Sequence, residues 1–347
     1  MVGYMNQPKV SVIVPVFNTK PYLRQCLDSL VAQTLPETEV ICVDNGSTDG
    51  SYELLKTYAQ DHTSIVVIRH TEGRRGGAVN AGIAIAKGQY VGFVDSDDFV
   101  APEMYATLCS VAQSFMADVV ICNARTYIQD HGYGATSLPA AVLSNREPFT
   151  IDRRPALLRN STSWNRLFKH DFITRHHIRF PQGLYGQDQL FVIKALTLAD
   201  RIVTVPDILY FYRKNRPGSV SEYRGRDCMH VFEVWRQISD FVEESIGDET
   251  LRHWINEARI VKYLYSYNQA DRSMKRQYFS RMKSEFRALE LEEQLTFLTP
   301  TEQREHQIVM RHDFVFYNVF LHLRMIYGKL REYTKRFSKP PSAKRSK

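Results

Sequence analysis

The segment GQYVGFVDSDDFV, residues 88–100, decides how this chain is read. A smooth apolar run, Tyr90-Val91-Gly92-Phe93-Val94, passes without a break into Asp95, Ser96, Asp97 and Asp98. Three carboxylates held this close repel one another, so something positive must offset the cost. An apolar strand with no alternation is buried on both faces, and its polar tip then opens into a cleft.

The same rhythm extends to either side. KVSVIVPV (9–16), EVICVD (39–44), SIVVIRH (64–70), QYVGFVD (89–95) and ADVVICN (117–123) read as five strands. KPYLRQCLDSLVAQ (20–33) sets Leu23, Leu27, Leu30 and Val31 on one helical face, and further helices fall at YELLKTYAQ, GGAVNAGIAIAKG and PEMYATLCSVAQ. Strands alternating with helices predict an α/β chain: a Rossmann-like, mostly parallel sheet flanked by helices.

In such sheets ligands bind beyond the carboxyl ends of the strands. Here those ends read PVFN, DNGSTD and DSDD, so one polar cleft is expected. No G-x-G-x-x-G follows the first strand and no P-loop is present; GRRGG (73–77) follows the third strand instead. Oxygen-only ligands at Asp95, Asp97 and Asp98 suit Mg²⁺ or Mn²⁺, which completes its shell from substrate phosphates. A plainer role is open to these aspartates, as caps of the next helix, where Pro102 and Glu103 suit a first turn. Their place at the tip of the fourth strand favours the metal.

The remaining bounds are general. The 347 residues have room for two domains or one domain with additions, and 44% hydrophobic content supplies a real core. Five widely spaced cysteines argue for a reducing compartment and against a disulfide framework or a zinc site. The first residues, MVGYMNQPKV, lack the basic and apolar regions of a signal peptide. No run of about 18 or more apolar residues appears. The net charge of +7 is concentrated at one end, where 329–347 hold eight Lys or Arg and one Glu.

The basic end follows FVFYNVFLHLRMIYGKLREY, an aromatic-rich segment read as a core helix or one lying in a membrane interface. The tail reads either as simply solvated or as a contact for an anionic membrane surface. No nucleic-acid motif accompanies the charge, so no nucleic-acid partner is expected. The expected location is the cytoplasm, peripheral on the inner face of the cytoplasmic membrane.

VSVIVPVFN, VDNGSTDGS, GGAVNAGIAIAKGQYVGFVDSDD and FPQGLYGQDQLFVIKAL together resemble family 2 glycosyltransferases of the GT-A fold. The likeness runs over about residues 8–221. Its nearest character is that of bacterial enzymes building lipopolysaccharide, capsule or other surface polysaccharide. The resemblance implies a nucleotide-diphosphate sugar donor, a glycan or lipid-linked acceptor, a divalent cation and inversion at the anomeric carbon. A UDP-sugar is the first donor expected, although Asn45 stands where a second Asp is common and leaves the base open.

The resemblance also implies roles. Pro15, Phe17 and Asn18 wall the base, with Phe17 able to stack on it. Asp44 and Asn45 bind base and ribose, and Asn80 matches a family position. Arg74 or Arg75 meets the diphosphate, since Val79 replaces an Arg often found beside Asn80. Asp95 and Ser96 belong to the ribose and metal shell, and Asp97 is the direct metal ligand with Asp98 beside it. Asp188 matches the base that takes the acceptor proton, with Gln187 where a Glu is usual; its plainer role is the N-cap of QLFVIKALTLA. Trp164 reads equally as a sugar platform or as core. Arg213, Arg216 and Ser219 read as a lid over the diphosphate or as a solvated loop. Asp49 reads first as a helix cap.

The expected organisation is a donor half at 8–125 and an acceptor and base half at 126–224. A C-terminal helical extension (225–328) and the basic tail (329–347) follow. Residues 130–150 read as a loop or linker. Two other functions stand against the transferase. A sugar nucleotidyltransferase would need a glycine- and arginine-rich loop after the first strand, which PVFNTKPYLRQ lacks. A catalytically inactive scaffold would have lost the D-x-D or Asp188, and both are present.

Overall fold

Alternate residues of the apolar strands face opposite sides of one sheet, and each side is covered by helices. The structure, a computed structural model, describes residues 7–129, 131–138, 143, 147–215, 226–289, 295 and 298–337, with 326–337 as backbone alone. Strand β1 (Val10–Val16) lies between β2 (Thr38–Asp44) and β4 (Tyr90–Phe93), parallel to both, and β3 (Ile65–Arg69) extends this group beside β2. Connecting them are α1 (Lys20–Val31), α2 (Ser51–Asp61) and α3 (Arg74–Ile85). Val12, Val14, Val40 and Cys42 pack on the side covered by α1, α2 and α4 (Met104–Phe115), whereas Ile13, Ile41, Val43 and Phe93 pack on the other.

Beyond β4 the sheet is mixed. Strands β5 (Phe99–Val100), β6 (Val119–Ile128), β7 (Gly132–Thr136), β8 (Arg166–Lys169) and β9 (Ile202–Lys214) complete the order β3-β2-β1-β4-β8-β6-β9-β5, with β7 on β6. Four-residue β8 runs antiparallel between β4 and β6, so the fifth strand read from sequence joins the sheet through β8. The segment expected as a loop after residue 130 includes β7, which pairs antiparallel with β6. Residues 130, 139–142 and 144–146 lie outside the described residues.

Helices α5 (His170–Arg175) and α6 (Asp188–Leu198) lie on the second face, where the C-terminal helices join them. These are α7 (His230–Ser245), α8 (Glu249–Gln269), α9 (Lys275–Ala288), α10 (Pro300–Arg311) and α11 (Phe314–Phe337), the first four within the helical extension expected over 225–328. Their starts are locally encoded. Asp248 accepts from the amides of Thr250 and Leu251, and Thr299 with Glu302 forms a capping box. Trp235 of α7, fully buried, donates its indole N–H to Gln189 of α6 at 2.8 Å. Arg159 pairs with Glu302 of α10 at 2.6 Å. One apolar core therefore runs from Ile13 to Tyr317. The five cysteines are free and buried, and among the described residues no helix is long and apolar enough to cross a membrane.

Candidate active site

Strand β4 delivers the DSDD turn to the carboxyl end of the sheet, and the four residues take different directions. Asp98 turns inward with no exposed surface. Its oxygens accept from the Tyr210 hydroxyl at 2.6 Å and the Arg213 amide at 2.7 Å. Ser96 is also buried and accepts from the Thr19 hydroxyl at 2.9 Å. Asp95 and Asp97 are only partly buried. The turn is thus braced from behind by Asp98 and Ser96, leaving Asp95 and Asp97 toward the cleft.

Helix α3 brings in the positive charge. Gly73 and Arg74, both in the left-handed region with φ of 70° and 55°, turn the chain sharply before the helix. Gly76 lets the helix approach the backbone of Pro181, because a Cβ there would sit 2.3 Å from that carbonyl oxygen. Arg75 then places its guanidinium between two carboxylates. Its Nη2 lies 2.5 Å from Asp95 Oδ1 and its Nη1 lies 2.7 Å from Asp188 Oδ1. Burial works against the Arg75 charge, but Asp188 and Asp95 outweigh it and hold the group above its ordinary range.

Asp188 is the first residue of α6 rather than its cap. Its second oxygen accepts from the Ser163 hydroxyl at 2.9 Å and, more weakly, from the Ser163 amide at 3.4 Å. Ser163 was not singled out in the sequence; its only signal is adjacency to Trp164. The turn that carries it is fixed by Arg166 and Asn165, both without exposed surface.

At the tips of β1 and β2, the Phe17 ring is 57% exposed, available to stack on a planar ligand. Pro15 is buried within β1, opposite Val43. Asn18 accepts from the Thr48 amide at 2.8 Å and so ties the two tips together. Asp44 is buried and bound by the Gly46 and Ser47 amides and by Arg69 at 3.1 Å. The Asn45 amide donates to Val16 at 2.8 Å, leaving its partly buried side chain at the rim. Asp49, read first as a helix cap, stands one residue before the cap position, which is Gly50, and instead braces the turn: it accepts from the Lys20 amide and from the Ser51 amide and hydroxyl.

Other expected residues stand behind the cleft. Asn80 clamps the backbone of Phe180 through both ends of its amide, at 2.8 and 3.0 Å. Trp164 is 6% exposed and stacks on Tyr210 at 4.3 Å, so core packing is its observed role. Arg213, read as part of a lid, is 3% exposed. It is held by the Asp97 carbonyl at 2.8 Å and by Gln129 and Gln25 at 2.5 Å each. A guanidinium locked by three acceptors pins the DSDD turn and does not swing. Arg216 and Ser219 lie outside the described residues. Arg74 is half exposed, against the Tyr185 ring.

The site carries more negative charge than Arg75 supplies. Burial raises the Asp95 carboxyl above its ordinary range, Arg75 opposes this, and Asp97 and Asp188 reinforce it. Burial also raises Asp98 strongly, with Asp97 and Asp95 adding to it. An all-oxygen cluster with surplus negative charge fits a hard divalent cation. Among the described residues no three His, Cys, Asp or Glu side chains hold a metal by themselves, so such an ion would need further ligands from a bound substrate.

The profile described as Glycosyl transferase family 2 matches residues 11–175. The chain is 32% identical over 230 residues to an uncharacterized glycosyltransferase, EpsJ, of Bacillus subtilis (strain 168), covering 64% of this chain and 65% of that protein. It is 34% identical over 245 residues to another, YibD, of Escherichia coli (strain K12), covering 68% and 70%. A poly(ribitol-phosphate) beta-N-acetylglucosaminyltransferase, TarS, of Staphylococcus aureus (strain MW2) is 27% identical over 257 residues, 72% of this chain and 44% of that protein. The crystal structure of S. aureus TarS 1-349 in complex with UDP-GlcNAc aligns with a TM-score of 0.71 at 22% identity, covering 89% of each chain. That likeness is one of fold, the GT-A arrangement expected from the sequence. The chain spans 44% to 70% of the length of these three relatives.

Proposed function

The chain belongs to glycosyl transferase family 2, and from that premise we propose that it is an inverting transferase. It moves a sugar from a nucleotide-diphosphate donor, UDP-sugar first, to a hydroxyl of a surface glycan or a lipid-linked acceptor. The observation that carries this reading is Arg75 bridging Asp95 and Asp188. One guanidinium spans the tip where the donor diphosphate belongs and the carboxylate that would serve the acceptor. The exposed Phe17 ring offers a stacking face for a nucleotide base, and the UDP-GlcNAc complex of TarS makes UDP the first carrier to test.

The chemistry follows from the placement. An acceptor hydroxyl gives its proton to Asp188, and its oxygen forms the new bond to the anomeric carbon. The bond from that carbon to the diphosphate oxygen breaks on the opposite side, and the nucleoside diphosphate leaves with the electron pair. Arg75 meets the charge that develops there. Asp97, with Asp95, would hold a divalent cation, which when bound supplies Lewis-acid neutralisation of the diphosphate. Asp98, Tyr210 and Arg213 keep the turn in place.

We also place the enzyme on an anionic membrane surface. Val315, Phe316, Val319 and Leu323 are 48% to 60% exposed and share one side of α11 by helical spacing, and the basic run begins at Lys329 on the same helix.

Nucleoside diphosphate release from a panel of nucleotide-sugars, with and without Mn²⁺, tests the core of the proposal. Asp188→Asn, which keeps size and polarity, is expected to lose at least ~10²-fold in kcat with the fold intact. Parent-level turnover in that variant would refute the base assignment.

A further inference from the structure

We propose that Arg166 is a positioning residue for transfer: it locks the 160–165 turn so that Ser163 holds Asp188 in place. The inference rests on Asp188 being the base.

Arg166 has no exposed surface. It spends its donors on neutral groups of one turn: Nη1 on Asn165 Oδ1 at 3.0 Å and on the Thr162 hydroxyl at 3.3 Å, and Nη2 on the Asn160 carbonyl at 2.5 Å. Among the described residues its Nε has no hydrogen-bond partner. Thr162 in turn donates to Asn160 at 2.6 Å, and Asn165 donates to the Cys122 carbonyl of β6 at 2.8 Å. The one residue of this turn that reaches the cleft is Ser163, and it donates to Asp188. No carboxylate bonds Arg166 directly among the described residues.

A buried cation with no contacting counter-ion costs several kcal/mol, so a purely structural position would be filled more cheaply by an apolar chain. Burial pulls Arg166 down from 12.5 to about 9, with Cys122 and Asp188 opposing that pull. It therefore keeps its charge at neutral pH.

Arg75 from α3 holds one oxygen of Asp188 and is partly exposed, so part of its hold is drawn off when it meets the donor diphosphate. The other oxygen is held by Ser163, whose turn is fixed by Arg166 and cannot follow. Asp188 thus stays aimed once Arg75 is shared.

The test is UDP release from UDP-GlcNAc or UDP-glucose by the full chain, with kcat and donor KM read separately. Arg166→Gln removes the charge and part of the fork that holds the turn. Its donor KM is expected within ~2-fold of the parent while kcat falls ~10-fold. Arg166→Lys, which keeps a donor toward the turn, should recover part of that loss. Ser163→Ala, which removes the bond to Asp188, should lower kcat in the same way with donor KM kept, and it decides the matter if Arg166→Gln does not fold. A folded Arg166→Gln or Ser163→Ala with parent-level kcat overturns the proposal while leaving Asp188 as the base. Parent-level turnover by Asp188→Asn overturns both.

Discussion

Nη1 of Arg75 lies 2.7 Å from Oδ1 of Asp188, joining α3 to the first turn of α6 across the end of β4. The same guanidinium holds Asp95, so its removal leaves three cleft carboxylates facing one another. Arg75→Gln is expected to cost ~10²-fold or more in kcat/KM, the scale of losing one electrostatic contact to a departing charge. It should also raise the donor KM, because the contact exists before transfer. Steady-state UDP release measures both. A variant with unchanged donor KM would show that Arg75 does not meet the donor diphosphate before transfer.

The cation and the base are separable by ligand-induced stabilisation. UDP, dTDP, GDP and CMP, each with Mn²⁺, Mg²⁺ or chelator, form the panel. A ligand at ~100 times its dissociation constant adds about 2.7 kcal/mol, which a melting curve resolves. The expected result is a shift with UDP that needs Mn²⁺ or Mg²⁺, kept in Asp188→Asn and lost in Asp97→Asn. A shift of equal size in chelator would remove the cation from the mechanism.

The C-terminal helices are part of the catalytic fold and not a detachable module. Trp235 has no exposed surface and its indole N–H is bonded to Gln189 of α6, next to Asp188. Trp235→Ala is expected to destabilise the whole chain by roughly 3–5 kcal/mol, the cost of a large buried aromatic. Urea unfolding should remain a single transition that moves to lower urea. Separate transitions for the two regions would mean that the shared core is not cooperative.

Much of this was legible because two physical signals are local. Strands buried on both faces show as unbroken apolar runs, and β1 to β4 fall where those runs fall. Asp95, Asp97 and Asp188 stand in the cleft because strand tips and helix starts fix them. Tertiary position is what the sequence hides. Arg213 and Arg166 carry the same side chain as any surface arginine, and only the fold shows them buried. Trp164 was ambiguous because its stacking partners, Tyr210 and Tyr212, arrive from β9, far along the chain. Four-residue β8 is too short to leave a pattern, yet it turns a parallel sheet into a mixed one.

Membrane attachment makes a prediction about α11. Val315, Phe316, Val319 and Leu323 expose apolar surface, and each nearby Lys or Arg adds about 1 kcal/mol at an anionic surface. The full chain should float with vesicles containing phosphatidylglycerol and stay behind with phosphatidylcholine alone. Val319→Ser with Leu323→Ser, or removal of 329–347, should release it without loss of UDP release. Equal flotation by these variants would sink the proposal.

The C-terminal helices also impose a pH limit on the fold. His306 of α10 is 9% exposed, packs on the Phe286 ring at 4.8 Å and, among the described residues, has no hydrogen-bond partner for Nε2. Burial lowers it from 6.5 to about 4. The unfolded chain therefore takes this proton first as pH falls below 6.5, while the folded chain resists until about 4. Stability from the neutral imidazole is complete above 6.5 and is lost as pH falls through that window. At pH 5 the loss is about 2 kcal/mol by proton linkage. His306→Leu abolishes the titration, so the stability difference between parent and variant should move in the variant's favour by that amount between pH 7 and pH 5. Urea unfolding at the two pH values measures it. A difference that does not change with pH would mean that His306 meets water in the folded protein and gains its proton without cost.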